Sequence, residues 1–207
     1  MLFVQEDAAP RILDMLRGAM AQLIIGDPAL LSTDIGPVID ADAQAMLKRH
    51  ADRMRREAKV LVELPLPGGT EHGTFFGPAA YEIDSLDRLT GEVFGPILHV
   101  VRWQSGKLDA VIDAIRDTGY ALTLGVHSRI DATIARIVAR ARVGNLYVNR
   151  NMIGAVVGVQ PFGGEGLSGT GPKAGGPHYL PRFAVERTLT VNTAAAGGNA
   201  ALLAQDR

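Results

Sequence analysis

The chain of 207 residues contains no cysteine. Disulfides, thiolate metal ligands and a thiolate nucleophile are therefore excluded from these residues, and the composition agrees with a cytoplasmic setting. Charge of one sign is not in excess either: 21 Lys and Arg stand against 22 Asp and Glu, a formal net charge of −1. No broad attraction to nucleic acid or to an anionic membrane surface follows. Long hydrophobic runs are lacking, since none approaches the roughly 20 residues of a membrane span. The opening MLFVQEDAAP has no basic residue ahead of its apolar ones, so no signal peptide is expected. Aromatic residues are few, 5% with one tryptophan. Glycine is abundant, 24 residues, and it crowds into GAVVGVQPFGGEGLSGTGPKAGG, from Gly154 to Gly176. Glycine costs conformational entropy on folding, so an ordered stretch this rich in it needs unusual dihedrals or close backbone approach.

Apolar periodicity organises the rest. MLFVQ reads as a short strand. Asp7 is placed to cap a helix with Ile12, Leu13, Leu16, Met20 and Leu23 on one face, stopped by Gly26-Asp27-Pro28. Asp40 is a second candidate cap, for a charged helix of about four turns with Ala43, Met46, Leu47 and Met54 on its apolar side. KVLVEL is the next strand, ended by Pro65 and Pro67, and PGGTEHG an exposed turn. ILHVVRW is a strong strand, followed by a helix carrying Leu108, Val111, Ile112 and Ile115. ALTLGVHS is strand, Ile130, Ile134, Ile137 and Val138 mark a helix face, and GNLYVN is strand again. TLTVN, Thr188 to Asn192, stands apart from any helix and would have to pair with another sheet or another subunit. Strands alternating with helices predict an α/β domain with a largely parallel sheet flanked by helices. The glycine-rich loop then follows the end of a strand, where ligands of open α/β sheets sit.

Several residues are candidates for chemistry, each with a plainer alternative. The glycine-rich loop contains no Walker sequence, and GGEGLSG lacks the dinucleotide fingerprint. Successive N–H groups at Gly154 and Ala155 can form a nest for an anion; the loop can equally be a surface connection. In TGEVFGPILHV, Glu92 and Phe94 share strand parity, and Gly95-Pro96 then breaks regular structure. A carboxylate beside a ring can hold a hydroxylated ligand and cover its flat face. Alternatively Glu92 is a solvated turn residue and Phe94 belongs to the core. The histidines at 50, 72, 99, 127 and 178 show no metal-ligand spacing. His50 is expected to be solvated on its charged helix, while His99 and His127 fall in strand patterns as packed or edge residues. Ser32, Ser85, Ser105, Ser128 and Ser168 lack a nucleophile elbow and suit caps and turns. Trp103 ends a strand, in the core or at its rim, and Arg53, Arg55 and Arg56 belong to a charged helix face.

Taken in order, GDP at Gly26–Pro28, DIGPVI at Asp34–Ile39, GEVFGPILHV at Gly91–Val100, GNLYVNR at Gly144–Arg150 and QPFGGEGLSGTGPKAGGPHYL at Gln160–Leu180 resemble the aldehyde dehydrogenase superfamily. NMIGAVVGVQPFGG and SGTGPKAGGPHYL bring the resemblance closer to the L-glutamate γ-semialdehyde (1-pyrroline-5-carboxylate) dehydrogenase branch, above all to the C-terminal module of bifunctional proline utilization proteins. The resemblance implies the catalytic-domain half of the fold, lacking its start and its cysteine, over residues 1–187, an oligomerisation strand at 188–192 and a flexible tail at 193–207. It implies NAD as cofactor, with Glu92 bonding the nicotinamide ribose hydroxyls and Phe94 lying against that end of the molecule. Gly154 and Ala155 correspond to the loop whose N–H groups anchor the carboxylate of the substrate, glutamate semialdehyde. Phe162 corresponds to the ring that packs on its aliphatic stem.

The family attacks its aldehyde with a cysteine thiolate, which alignment places just ahead of LFVQED. That cysteine, the nucleotide-binding domain, the general-base glutamate and the oxyanion-hole asparagine have no counterpart in the sequence. The expectation is the C-terminal part of a homo-oligomeric dehydrogenase, inactive alone, with no catalytic or metal-binding residue of its own. A non-catalytic carboxylate-binding or assembly module and a stand-alone regulatory α/β domain are the alternatives.

Overall fold

The computed structural model describes residues 1–153, 156, 158–192, 201 and 204. They fall into two units, one of residues 1–119 with 139–141, the other of 120–138 with 142–207.

The first unit is built on a four-stranded sheet of order β1-β4-β3-β2, with β1 at Leu2–Gln5, β2 at Lys59–Glu63, β3 at Ala79–Ile83 and β4 at Ile97–Trp103. β4 runs parallel to β1 (Leu2 opposite Val100) and to β3 (Ala79 opposite Ile97), and β2 closes one edge antiparallel to β3. The alternation of side chains along β3 and β4 divides the core in two. Ala79, Tyr81, Ile83 and Val101 pack with Leu47, Ala51 and Met54 of α2 (Ala41–Glu57). Ala80 and Val100 pack with Val4, Leu61 and with Ala9, Leu13 and Met20 of α1 (Ala9–Met20). The largely parallel α/β sheet expected from the sequence is therefore present, with one antiparallel edge.

Some local expectations need correction. β3 has little strand signature in AAYEI, whose two alanines are poor strand formers; its pairing with β2 and β4 makes it a strand. Asp7 does not cap α1. The cap position is Ala8, without a side-chain bond, and Pro10 presets the first turn; the Asp7 carboxylate instead accepts from Gln5 Nε2 at 3.1 Å. The helix ends at Met20, short of Gly26, although Leu23 still packs on the core. Asp40 does cap α2, accepting from Ala43 N at 2.7 Å. PGGTEHG is a turn, yet Thr70 within it is buried. His50 is not solvated: its Nε2 lies 2.8 Å from Nε2 of buried His99. α3 spans Leu108–Asp117 and buries Ile112.

In the second unit ALTLGVHS divides at Leu122 into β5 (Tyr120–Ala121) and β6 (Thr123–Val126). β6 pairs in parallel with β7 (Asn145–Val148), and β5 pairs antiparallel with β8 (Glu165–Gly166). His127 lies beyond β6 and is exposed. α4 spans Asp131–Arg140, and of the expected face only Ile137 is buried, Ile130 and Val138 being exposed. Thr188–Asn192 forms no strand and is exposed throughout. Among the described residues no helix is long and apolar enough to cross a membrane.

Candidate functional site

Glu92 and Phe94 stand on the loop that leads into β4. The loop is fixed at its far end: Ala79 N donates to Pro96 O at 3.0 Å and Ile97 N to Gly95 O at 2.8 Å. Gly95 lies so close to the core that a Cβ there would meet Leu47 Cδ2 at 2.6 Å. Val93 packs on the core cluster of α2, while its neighbours Glu92 and Phe94 are exposed. Phe94 is 81% exposed, so the alternative that it belongs to the core does not hold. The loop therefore presents an exposed carboxylate and an exposed ring two residues apart.

Phe162 belongs to the second unit and is half-buried. Its N–H donates to Ala174 O at 3.0 Å and its carbonyl accepts from Ala174 N at 2.9 Å. Asn145, at the start of β7, reaches both neighbours of the ring residue: Nδ2 donates to Pro161 O at 3.0 Å and Oδ1 accepts from Gly163 N at 3.2 Å. The two segments touch along their backbones, since a Cβ on Gly144 would lie 1.8 Å from Gly163 O. Lys173 Nζ donates to Gly144 O. Further along, Ser168 Oγ accepts from Ala121 N at 3.0 Å. Within the loop, a Cβ would meet its neighbours closely at Gly164, Gly169 and Gly176, while Gly158 and Gly171 have positive φ. Gly154 and Ala155 lie outside the described residues.

Behind the Phe162 segment is a cavity of about 690 Å³ lined by Asn145, Tyr147, Arg150, Gln160, Pro161 and Lys173, among others. The Arg150 guanidinium lies over the Tyr147 ring at 4.9 Å, and Gln160 Oε1 is buried without a partner. Phe162 does not line this cavity.

The structure thus places Glu92 and Phe94 together in the first unit and Phe162 in the second. The residues that hold Phe162 lie inside quoted motifs, GNLYVNR and SGTGPKAGGPHYL, but the motifs gave them no role. Asn145 sits inside GNLYVNR, where it reads as an ordinary strand residue, and Lys173 inside a run of glycines. Only the folded proximity of 144–145 to 161–163 gives them a task.

Comparison with known proteins places these features in a family. The aldehyde dehydrogenase family model matches residues 1–189, and the chain belongs to that family. It is 54% identical over 191 residues to the bifunctional protein PutA of Klebsiella aerogenes, covering 90% of this chain and 15% of that protein. It is 35% identical over 179 residues to a 1-pyrroline-5-carboxylate dehydrogenase of Geobacillus sp. (strain WCH70), covering 86% of this chain and 34% of the relative. Among solved structures, a variant of Bradyrhizobium japonicum proline utilization A superposes with a TM-score of 0.87 at 59% identity, over 95% of this chain and 20% of that one. A 1-pyrroline-5-carboxylate dehydrogenase from Thermus with bound NAD gives 0.79 at 33% identity, over 88% of this chain and 35% of the other. The chain therefore spans between 15% and 35% of the length of these relatives.

Proposed function

We propose that this chain forms the part of an NAD-dependent L-glutamate γ-semialdehyde dehydrogenase that grips the substrate and the nicotinamide ribose. The observation that carries this reading is the held backbone at Phe162, an aromatic residue whose neighbours on both sides are hydrogen-bonded to one strand residue. A ring fixed in this way suits an aliphatic stem, whose burial is favourable and non-directional. N–H groups of Gly154 and Ala155 would take the carboxylate at the other end of the same molecule. The names of the relatives, 1-pyrroline-5-carboxylate dehydrogenase and bifunctional PutA, support the substrate class.

The residues on the β4 loop fit the cofactor. Glu92 is an exposed carboxylate able to accept two hydroxyl hydrogens, and Phe94 offers an open apolar face two residues on. NAD, when bound, supplies the hydride acceptor. The protein's own residues bind and orient. The family's covalent capture of its aldehyde uses a cysteine thiolate, and these 207 residues contain no cysteine, so turnover by this chain alone is not expected.

Titration of the ¹⁵N-labelled chain with L-glutamate, the product of the reaction, tests the reading. Saturable shifts of the Gly154 and Ala155 amides are expected in the millimolar range, the affinity that a few polar contacts support after the costs of binding. Amides that stay still would remove the anchor from the proposal.

A further inference from the structure

We infer that Asn145 is the positioning residue for Phe162, and that through Phe162 it sets the preference of the site for acids carrying an aliphatic stem. The second half of this inference rests on the function proposed above; the first half rests on geometry alone.

A side-chain amide carries donors and an acceptor at one end. Asn145 uses both, giving a hydrogen to Pro161 O and taking one from Gly163 N. These are the backbone groups immediately before and after Phe162, so the side chain spans the residue that bears the ring. The orientation of the amide is defined by its partners, because the reversed amide would set donor against donor and acceptor against acceptor. Asp keeps the bond from Gly163 and loses the one to Pro161. Leu, nearly the same size, loses both.

The support under Asn145 is rigid. Its own N–H donates to Leu122 O at 2.9 Å, and it is paired with Thr123 in the β6–β7 ladder. The contact of Gly144 with Gly163 O brings the two segments to the distance a short asparagine can bridge. A second asparagine, Asn149, just beyond the other end of β7, forms a similar two-way bond with Ser128 N and O, both at 2.9 Å. Asn149 closes an ordinary loop ahead of α4. Asn145 differs in that the residue it spans, Phe162, is the single aromatic residue between Gly154 and Gly176. A ring positioned from a strand is held more closely than one positioned from its own loop.

The test uses the 207-residue chain with isotopically labelled phenylalanine, as wild type, Asn145→Leu, Asn145→Asp, Phe162→Ala and the Asn145→Leu/Phe162→Ala double variant. Without ligand, Asn145→Leu is expected to average the Phe162 ring signals and to lower the hydrogen-exchange protection of Gly163 N–H roughly tenfold, the scale of losing one bond, with Val126 and Tyr147 unchanged. Asn145→Asp should give the Phe162 effect while leaving Gly163 protected. If Asn145→Leu fails to fold, Asn145→Asp decides alone, and an unmoved Phe162 in the variant that folds overturns the inference. With ligand, L-glutamate is compared with glycine, which has the same amino-acid end and no stem. Asn145→Leu should weaken glutamate several-fold and leave glycine alone, and adding Phe162→Ala should weaken glutamate no further, as for residues acting in series. Equal losses for both ligands, or additive effects, overturn it. Wild-type chain that binds no glutamate defeats the proposed function, while the ligand-free arm still decides the role of Asn145.

Discussion

The two units are held together by different means. In the first, a sheet covered by helices packs Tyr81, Leu13, Leu47, Met54 and Val100 to full burial, and most of the stability comes from apolar area withdrawn from water. In the second, the buried apolar side chains among the described residues are only Val126, Ile137 and Tyr147. Its two short ladders are tied instead by side chains that reach backbone: Asn145 to 161 and 163, Lys173 to 144, Ser168 to 121, Asn149 to 128. A core tolerates substitution in proportion to volume lost. A network of single bonds and touching backbones has no such grading, and one added methyl group can undo it. The part of the chain that we propose grips the substrate is built in the second manner.

The sharpest way to break that contrast is Gly144→Ala. The new Cβ would fall 1.8 Å from the Gly163 carbonyl oxygen, a backbone atom that cannot rotate away. A loss of about 3 kcal/mol or more is expected. It should appear as lost amide protection at Asn145 and Tyr147 with β3 of the first unit still protected. Simultaneous loss in both would mean that the contrast is one of architecture and not of stability.

Acid should probe the first unit from inside its core. Burial, followed by the neighbouring His50, then the Met1 amino group and Arg53, holds His99 down to about 4 from an ordinary 6.5. Burial lowers His50 as well, with Arg53 adding to the effect and Glu57 opposing it. Between pH 6.5 and about 4 the unfolded chain binds more protons than the folded one, so stability rises with pH across this window and is lost as pH falls through it. The loss is up to about 3 kcal/mol for a shift of this size, read as a falling urea midpoint. His99→Asn should flatten the dependence; an unchanged slope would place the acid sensitivity elsewhere.

The mildest perturbation is Asp40→Ala, which removes the cap of α2 and leaves its buried face intact. A loss of about 1 kcal/mol is expected by thermal denaturation. A much larger loss would mean that the first unit depends on single polar bonds as the second does.

What could be read from the sequence was what depends on near neighbours. The helix behind Asp40 was legible because its cap and its i, i+4, i+7 stripe lie within one segment. β4 was legible as a long run of apolar residues. β3 was not, since AAYEI becomes a strand only between β2 and β4, with its two faces covered by α1 and α2. His50 read as solvated because a charged helix conceals what faces it across space. Glu92, Phe94 and Phe162 were singled out by motif, and the structure gave them different settings: Phe94 held outward by Gly95 and Val93, Phe162 bracketed by Asn145.

Sequence by itself determined the membership of this chain in its family, the α/β alternation of strands and helices, and the absence of any sulfur nucleophile from these residues. Those follow from composition, local period and ordered motifs, which need no partner in space. Tertiary structure alone decided that a strand asparagine and a glycine without a side chain hold the Phe162 segment. The residues involved lie some twenty positions apart, and the hydrogen bonds and backbone contact that join them exist only once the chain has closed on itself.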